Sequence, residues 1–378
     1  MKIKKDKYKI ENIKYYLVGL YMFVSILFGS SNINKIVAKS DQIITFIQIV
    51  FIIYIPVYFL IKNKISVKIL LRIFVTGIIL LSCAIKAGNA TLLTPFIFSL
   101  VFCEMDYKKL EKTILTVLSV TIPFIILLAL IGILPNEAVY TVYGNDTRIR
   151  YGMGFGHPNA FAAQIIQYVL LWVIYRWKNL TKWETFFLGA VTFGCWMLTK
   201  TQSLFIVIVL LMLYLIYRDT RVNDKLKKSI AKYVVIITPL LAIFIMIFYS
   251  SKSAIFSMLN RLVTGRFALL HSFYNVYGIK LLARKIEISN WSANTKLRYS
   301  ILDNAYGQLF IIYGLLAAVV FLLAYYCLVK KAGRENDHSL LLLVIIIFAY
   351  GMIETYIFRM PYNFSIIMAY QALIYRKR

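Results

Sequence analysis

The residues best suited to chemistry stand in a short stretch between two apolar runs. Residues 147–159 read Thr-Arg-Ile-Arg-Tyr-Gly-Met-Gly-Phe-Gly-His-Pro-Asn. Because proline is favoured at the first position of a helix, we expect a helix to begin at Pro158 with His157 near its cap. Arg148 and Arg150 would then precede the positive end of that helix, and the glycines would let the backbone approach a phosphate. An ordinary turn with a capping histidine would explain the same residues equally well.

A second basic stretch covers residues 251–302, in which Glu287 is the only acid. Thr264 can cap a helix that begins at Gly265 or Arg266. Apolar positions then recur at helical spacing and predict an amphipathic helix at the membrane interface; they are Phe267, Leu270, His271 and Tyr274. Arg266 would project from the N-terminal end of this helix, where a guanidinium can hold a phosphate through two hydrogen bonds. Contact with lipid headgroups is the alternative for these cations.

A third candidate, Leu302-Asp303-Asn304-Ala305-Tyr306, leads into a long apolar run. A carboxylate at the mouth of a membrane span is costly unless it is used. A general base on the predicted outer side must come from a short set of residues: Asp41, Glu137, Asp146, Glu287, Asp303, Glu354, His157 and His271. Helix capping by Asp303 or Asn304 is the alternative, and it is compatible with a chemical role.

The composition indicates which elements must position these residues. The chain has 378 residues, of which 61% are hydrophobic and 16% are charged. A soluble domain is about half apolar and about a quarter charged, so a soluble globular enzyme and a disordered chain are both excluded. We therefore expect an all-α polytopic membrane protein, because helices satisfy their own backbone groups in lipid. The four cysteines lack the spacing of a zinc site or a disulfide framework.

About twelve apolar runs are long enough to cross a bilayer as helices. They lie near residues 15–30, 43–61, 68–86, 89–103, 113–134, 158–175, 183–199, 201–217, 233–250, 303–329, 339–357 and 363–375. Lys and Arg concentrate in alternate short loops, which predicts that both termini are cytoplasmic. Segments 135–157 and 251–302 would then lie outside the cell membrane, as the active site of a single domain covering 1–378. The second segment would form a large outer loop with short amphipathic helices, and the cations of both suggest an anionic ligand.

Three short motifs resemble those of one enzyme family. The string from Arg150 to Gly-His157-Pro-Asn159 resembles the Arg…Gly-His-Pro-Asn element of capsular and exopolysaccharide polymerases, which belong to the O-antigen polymerase and ligase superfamily. Thr264-Gly265-Arg266 resembles the Ser-Gly-Arg that begins the family's large outer loop. Asp303-Asn304-Ala305-Tyr306, followed by Tyr313-Gly314, resembles the His-Asn-Xaa-Tyr…Gly element that closes it. Ligase-type members have histidine where Asp303 stands, which favours a polymerase.

The resemblance implies a glycosyltransferase that works without metal or cofactor at the outer face of the cell membrane. It would move a growing glycan from one polyprenyl diphosphate to a sugar hydroxyl of another lipid-linked repeat unit. Arginines would hold the diphosphate, and Asp303 or His157 would act as the base; the expected catalytic residues are Arg148, Arg150, His157, Arg266 and Asp303. The expected substrate-binding residues are Asn159, Arg261, Asn304 and Tyr306.

The same resemblance implies the partners of the chain. They are the lipid-linked oligosaccharide donor and acceptor and the lipid bilayer, without nucleic acid; a chain-length regulator and a flippase of the same pathway are further candidates. Two alternative functions stay open. One is a ligase-like transfer of glycan to another acceptor, and the other is a flippase for lipid-linked oligosaccharide. A transporter should place charges or broken helices near mid-membrane, and this chain has few there.

Overall fold

The computed structural model describes residues 2–62, 65–102, 104–136, 138–143, 146–218, 221–287 and 302–375. These residues are mostly helical and include one pair of strands. In chain order the elements are α1 (Lys2–Gly29), α2 (Ser40–Lys62), α3 (Val67–Ala87), α4 (Leu93–Ser99), α5 (Tyr107–Leu130), β1 (Ala138–Tyr143), β2 (Asp146–Tyr151), α6 (Pro158–Tyr175), α7 (Lys182–Thr199), α8 (Phe205–Arg218), α9 (Asp224–Phe248), α10 (Ala254–Leu262), α11 (Arg266–Tyr277), α12 (Ala305–Gly307), α13 (Gly314–Arg334), α14 (His338–Gly351) and α15 (Ser365–Ile374). A π-helical turn, Gln308–Ile312, joins α12 to α13. The predicted helical fold class is confirmed in this coarse form.

The two strands depart from the all-α expectation. They pair antiparallel, with Thr141 opposite Arg148 and Val139 opposite Arg150. Residues 139–143 are all β-branched or aromatic, which favours a strand over a helix. The hairpin therefore gives the two arginines of the segment 135–157 a fixed backbone.

Seven helices among the described residues are long and apolar enough to cross a membrane. They cover Asn12–Gly29, Ser40–Phe59, Val67–Ala87, Tyr107–Leu130, Pro158–Tyr175, Asp224–Phe248 and Gly314–Arg334. Three shorter apolar stretches are Gln202–Arg218, His338–Gly351 and Ser365–Ile374. The count of about twelve spans is therefore not confirmed. In the described part of the predicted span 89–103, the helix is the seven-residue α4, which is too short to cross a bilayer. Helix α7 covers the predicted span 183–199, but Lys182 and Glu184 lower its mean hydropathy, and it is not among the seven candidate spans.

Large apolar side chains on several of these helices face away from the protein. Only 17% of the spanning window is buried in α2 and in α3, and Phe46, Ile53 and Phe74 are among the exposed side chains. Soluble proteins rarely expose large contiguous apolar patches, whereas lipid covers such surfaces without cost. The chain is therefore a multi-pass membrane protein.

The chain packs as two compact units, each built from two separate stretches. Unit 1 is Met1–Lys64 with Leu100–Asp219, and unit 2 is Ile65–Ser99 with Thr220–Arg378. In unit 1, α6 is buried along most of its length and packs against α5, α7 and α8. In unit 2, α14 is almost wholly buried and packs against α9 and α13, and α13 in turn packs against α15.

Candidate active site

The helix predicted to begin at Pro158 does so, and His157 is its N-cap. Nδ1 of His157 accepts a hydrogen bond from the backbone N–H of Asn159 at 3.1 Å. His157 is an exposed residue, but partial burial and the charge of Arg150 lower the pKa of His157 to about 4. The neutral ring carries its proton on Nε2 while Nδ1 serves the cap. This geometry leaves the imidazole without a spare lone pair, which argues against the expected role of His157 as a base.

Arg150 is held by acceptors of the protein itself. Its Nε donates to the carbonyl oxygen of Thr199 at 2.8 Å, and its Nη2 donates to Oγ1 of Thr201 at 2.9 Å. Nη2 also donates to Oδ1 of Asn159. The guanidinium therefore ties β2 to the start of α6 and to the connection between α7 and α8. This gives Arg150 and Asn159 a positioning role, and their contact with a substrate stays a prediction.

The glycines between these two residues let the backbone approach other parts of the protein. Gly154 has a φ of +84°, and a Cβ built there would lie 3.0 Å from the Cβ of Ala129 and 3.0 Å from the carbonyl oxygen of Ile125. The carbonyl oxygen of Gly154 accepts the N–H of Asn32, just after α1, at 2.7 Å. The glycine-rich stretch is therefore needed for packing against α5 and against the chain that follows α1.

Arg148 lines a cavity of about 560 Å³ beside the hairpin. The other lining residues are Ile149, Trp196, Lys200, Gln202 and Phe205. Nζ of Lys200 lies 5.0 Å from the centre of the Trp196 ring. Two cations beside an indole and an amide suit a ligand that carries both negative charge and sugar hydroxyls. Trp196 and Lys200 belong to none of the motifs, because the whole of α6 separates them from Arg148 in the chain.

In unit 2, α11 begins at Arg266 as predicted, but Thr264 does not cap it. The N-cap is Gly265, with a φ of +85°. Oδ1 of Asn260 accepts the N–H groups of Phe267 and of the residue after it, each at 3.1 Å. The expectation for Thr264 is wrong because an amide from the end of α10 already satisfies the first donors of α11.

Arg266 stands between two carboxylates. Its Nη2 lies 2.7 Å from Oε1 of Glu354, and its Nε lies 3.9 Å from Oδ2 of Asp303. The side chains of Arg266 and Glu354 are 12% and 3% exposed, whereas that of Asp303 is 40% exposed. Glu354 therefore anchors the guanidinium from inside, and Asp303 is the carboxylate that a ligand can reach. These three residues are termed the Arg266 cluster.

The charges of the Arg266 cluster are unequal, because one cation faces two carboxylates. A diphosphate would add negative charge beside this excess, and like charges 4 Å apart repel by about 4 kcal/mol at an effective dielectric constant of about 20. The two carboxylates therefore weigh against the predicted role of Arg266 as a diphosphate ligand, which stays a prediction. Burial raises the pKa of Asp303, and Arg266 opposes part of that rise. A raised pKa makes the carboxylate a better proton acceptor.

Tyrosines lie beside the cluster. The carbonyl oxygen of Tyr350 accepts the N–H of Glu354 at 3.0 Å, which places these two residues one helical turn apart. Among the described residues, the buried Tyr350 hydroxyl has no hydrogen-bond partner. The rings of Tyr356 and Tyr362 lie 4.5 Å apart, between centroids. Aromatic rings with hydroxyl groups suit a sugar, and the motifs did not point to any of the three.

Two predicted substrate-binding residues support the fold around the cluster. Oδ1 of Asn304 accepts an N–H within α12, and its Nδ2 donates to the carbonyl oxygen of Met352 at 2.7 Å. Tyr306 is fully buried, and its hydroxyl donates to the carbonyl oxygen of Phe348 at 2.8 Å. Arg261 is exposed on α10. These bonds give Asn304 and Tyr306 structural roles, and substrate contact by all three residues stays a prediction.

The predicted site residues fall into two groups. Unit 1 holds Arg148, Arg150, His157 and Asn159, and unit 2 holds Arg261, Arg266, Asp303, Asn304 and Tyr306. Within the described ranges, no three His, Cys, Asp or Glu side chains gather in a way that could hold a metal ion. Comparisons with protein-family models, curated proteins and solved structures found no match to this chain. The functional conclusion therefore depends on the motifs and on the geometry of the two groups.

Proposed function

We propose that this membrane protein joins polyprenyl-diphosphate-linked oligosaccharide repeat units into a capsular, exopolysaccharide or O-antigen-like polymer. The resemblance of its motifs supplies the reaction class. The observation that carries most weight is the Arg266 cluster, in which a partly exposed carboxylate with a raised pKa lies beside a buried ion pair. The proposed location of the reaction is the outer face of the cell membrane, with both termini in the cytoplasm.

Asp303 is the proposed general base. It takes the proton of the acceptor hydroxyl while the hydroxyl oxygen attacks the anomeric carbon of the donor glycan. A glycosidic bond forms, the bond from that carbon to the phosphate oxygen breaks, and the polyprenyl diphosphate leaves with the electron pair. Asp303 then returns its proton to water, which can reach its exposed side. A positioned base contributes about 10²- to 10⁴-fold to the rate.

Arg266 is proposed to position Asp303 instead of holding the diphosphate. Glu354 fixes one edge of the guanidinium at 2.7 Å, so that Nε faces the Asp303 carboxylate. The positive charge keeps a part-buried carboxylate ionised often enough to accept a proton, because the pKa rise caused by burial is partly offset.

Cations that could bind a lipid diphosphate also occur in unit 1, where Arg148 and Lys200 are the proposed contact. Both line the cavity beside the hairpin, which Trp196 and Gln202 complete with groups that suit a sugar. Arg150 supports this cavity by holding β2 to Thr199 and Thr201. No metal or cofactor takes part in the proposed mechanism.

Reconstitution of the purified chain in vesicles with a polyprenyl-diphosphate-linked repeat unit tests the proposal. The wild type should give a ladder of lengthening glycans, and Asp303→Asn should leave single repeat units. Asp41→Asn replaces an exposed aspartate outside both groups and should keep the ladder. A full ladder from Asp303→Asn would remove Asp303 as the base. Movement of the lipid across vesicles without elongation would indicate a flippase, and a single transfer to a different acceptor would indicate a ligase-like enzyme.

A further inference from the structure

Helix α10 exposes an apolar stripe. None of its residues is buried, and Ile255, Met258 and Leu262 are 72%, 65% and 65% exposed. With Leu259 they recur at the spacing of one helical face, while Ser257 and Arg261 lie on the opposite face. The amphipathic helix was expected at α11, but α11 buries its apolar positions, among them Phe267, Leu270 and Phe273. The surface helix of this region is therefore α10.

Aromatic contacts place α10 at the end of a membrane-spanning helix. The ring of Phe256 lies 6.3 Å from that of Phe244 and 5.6 Å from that of Tyr249, between centroids. The candidate span α9 ends at Phe248, so Phe244 lies about 6 Å from that end at 1.5 Å per residue. Amphipathic helices bury their apolar face about 5–10 Å into the boundary between headgroups and acyl chains. The contacts of Phe256 with the last turns of α9 therefore suit a helix that lies at this boundary.

The chain segment that contains α10 carries cations and no acid. Residues 249–286 contain six cations and no acid: Lys252, Arg261, Arg266, Lys280, Arg284 and Lys285. Arg266 and Arg284 are bonded to protein groups, but Lys252 and Arg261 are exposed near the two ends of α10. Cations next to a bilayer are attracted by anionic headgroups. The charges and the stripe therefore suit the same partner, a bilayer leaflet rich in anionic lipid.

We propose that α10 is an interfacial helix that seats its stripe of Ile255, Met258, Leu259 and Leu262 in an anionic leaflet. This contact fixes the turn at Val263–Gly265, and with it the start of α11, at the level of the lipid headgroups. The proposal depends on membrane embedding and not on the proposed glycan chemistry. A stripe covered by a second copy of the chain is the competing arrangement.

Spin labelling of the full chain in vesicles tests the proposal. A nitroxide is attached at Met258→Cys or, as the matched control on the polar face, at Ser257→Cys, after the native cysteines are replaced by alanine. Collision with oxygen reports contact with acyl chains, and collision with a water-soluble nickel chelate reports contact with water. We expect the label at 258 to collide more often with oxygen and the label at 257 to collide more often with the nickel chelate. Lys252→Gln with Arg261→Gln should weaken the oxygen preference only in vesicles that contain phosphatidylglycerol.

Two results would overturn the proposal. One is nickel preference at both positions in vesicles with phosphatidylglycerol. The other is strong dipolar broadening between labels of two chains at position 258, which would show that a second copy covers the stripe. Size-exclusion chromatography checks that each labelled protein is monodisperse. If the label at 258 fails this check, labels at Ile255 and Leu262 make the same test from the same face.

Discussion

Replacing Arg266 by glutamine should cost more stability than replacing Arg266 and Glu354 together. Glu354 is 3% exposed and its carboxylate lies 2.7 Å from the guanidinium. Removing one partner of a buried pair costs about 3–5 kcal/mol, because the other charge stays buried without a counter-ion. Arg266→Gln would also leave two carboxylates, Asp303 and Glu354, without the cation between them. The double replacement removes the stranded charge, and we expect it to recover about 2 kcal/mol of the loss.

Thermal unfolding in detergent, followed by circular dichroism of the helices, compares the stability of the wild type, the two single variants and the double variant. The matched control is the pair of Arg176 and Glu184, whose N–O distance is 2.8 Å but whose side chains are 38% and 20% exposed. Its coupling should be about 1 kcal/mol or less, since solvent screens it. If the stability losses of the two single variants, at Arg266 and at Glu354, sum to the loss of the double variant within about 0.5 kcal/mol, the buried pair is refuted. The stabilised double variant should still fail to elongate glycans, because Asp303 has lost its positioning cation.

Three further predictions concern single residues. The wild type should lose stability relative to Asp303→Asn as the pH rises from 3.8 through the raised pKa of Asp303, because the folded carboxyl holds its proton more tightly than the unfolded one. It should also lose stability relative to His157→Asn as the pH falls from 6.5 to about 4, because the folded imidazole resists protonation until about pH 4, and asparagine preserves the cap. Thermal unfolding across pH checks both, and parallel curves for wild type and variant would contradict either one. Gly314→Ala should destabilise by more than about 1–2 kcal/mol, since φ is +82° and the new Cβ would lie 2.6 Å from the carbonyl carbon of Leu282. Gly189→Ala on α7 meets open space and should gain up to about 1 kcal/mol, so equal effects at the two glycines would be inconsistent with this packing.

Local signals predicted the starts of the helices that carry the site. Proline at Pro158 acts on its immediate neighbours, so the start of α6 follows from a few adjacent residues. The start of α11 at Arg266 was also predicted, but from capping by Thr264, which the structure does not show. The cap of α11 does not follow from adjacent residues, because its acceptor is on Asn260 at the end of the previous helix. The hairpin was missed because six-residue strands carry a weak pattern between long apolar runs.

Charge partners could not be predicted, because tertiary packing selects them. Glu354 lies 88 residues beyond Arg266 in the chain, and the sequence marks it only as an acid inside the predicted span 339–357. The expectation of a diphosphate at Arg266 counted the cation without its two carboxylates. In the same way, the cavity at Arg148 depends on Lys200, which α6 separates from it in the sequence. Residue types indicated the chemistry, and the fold decided which groups share each site.

The most direct test of Asp303 as the base is the pH dependence of single-turnover glycan transfer in vesicles. The wild-type rate should fall on the acid side as Asp303 gains its proton, at a pH above the ordinary aspartate range, because burial raises the pKa of this group. Asp303→Asn should transfer slowly and show no such fall. An identical acid limb in both proteins, or undiminished transfer by Asp303→Asn, would contradict proton abstraction by Asp303.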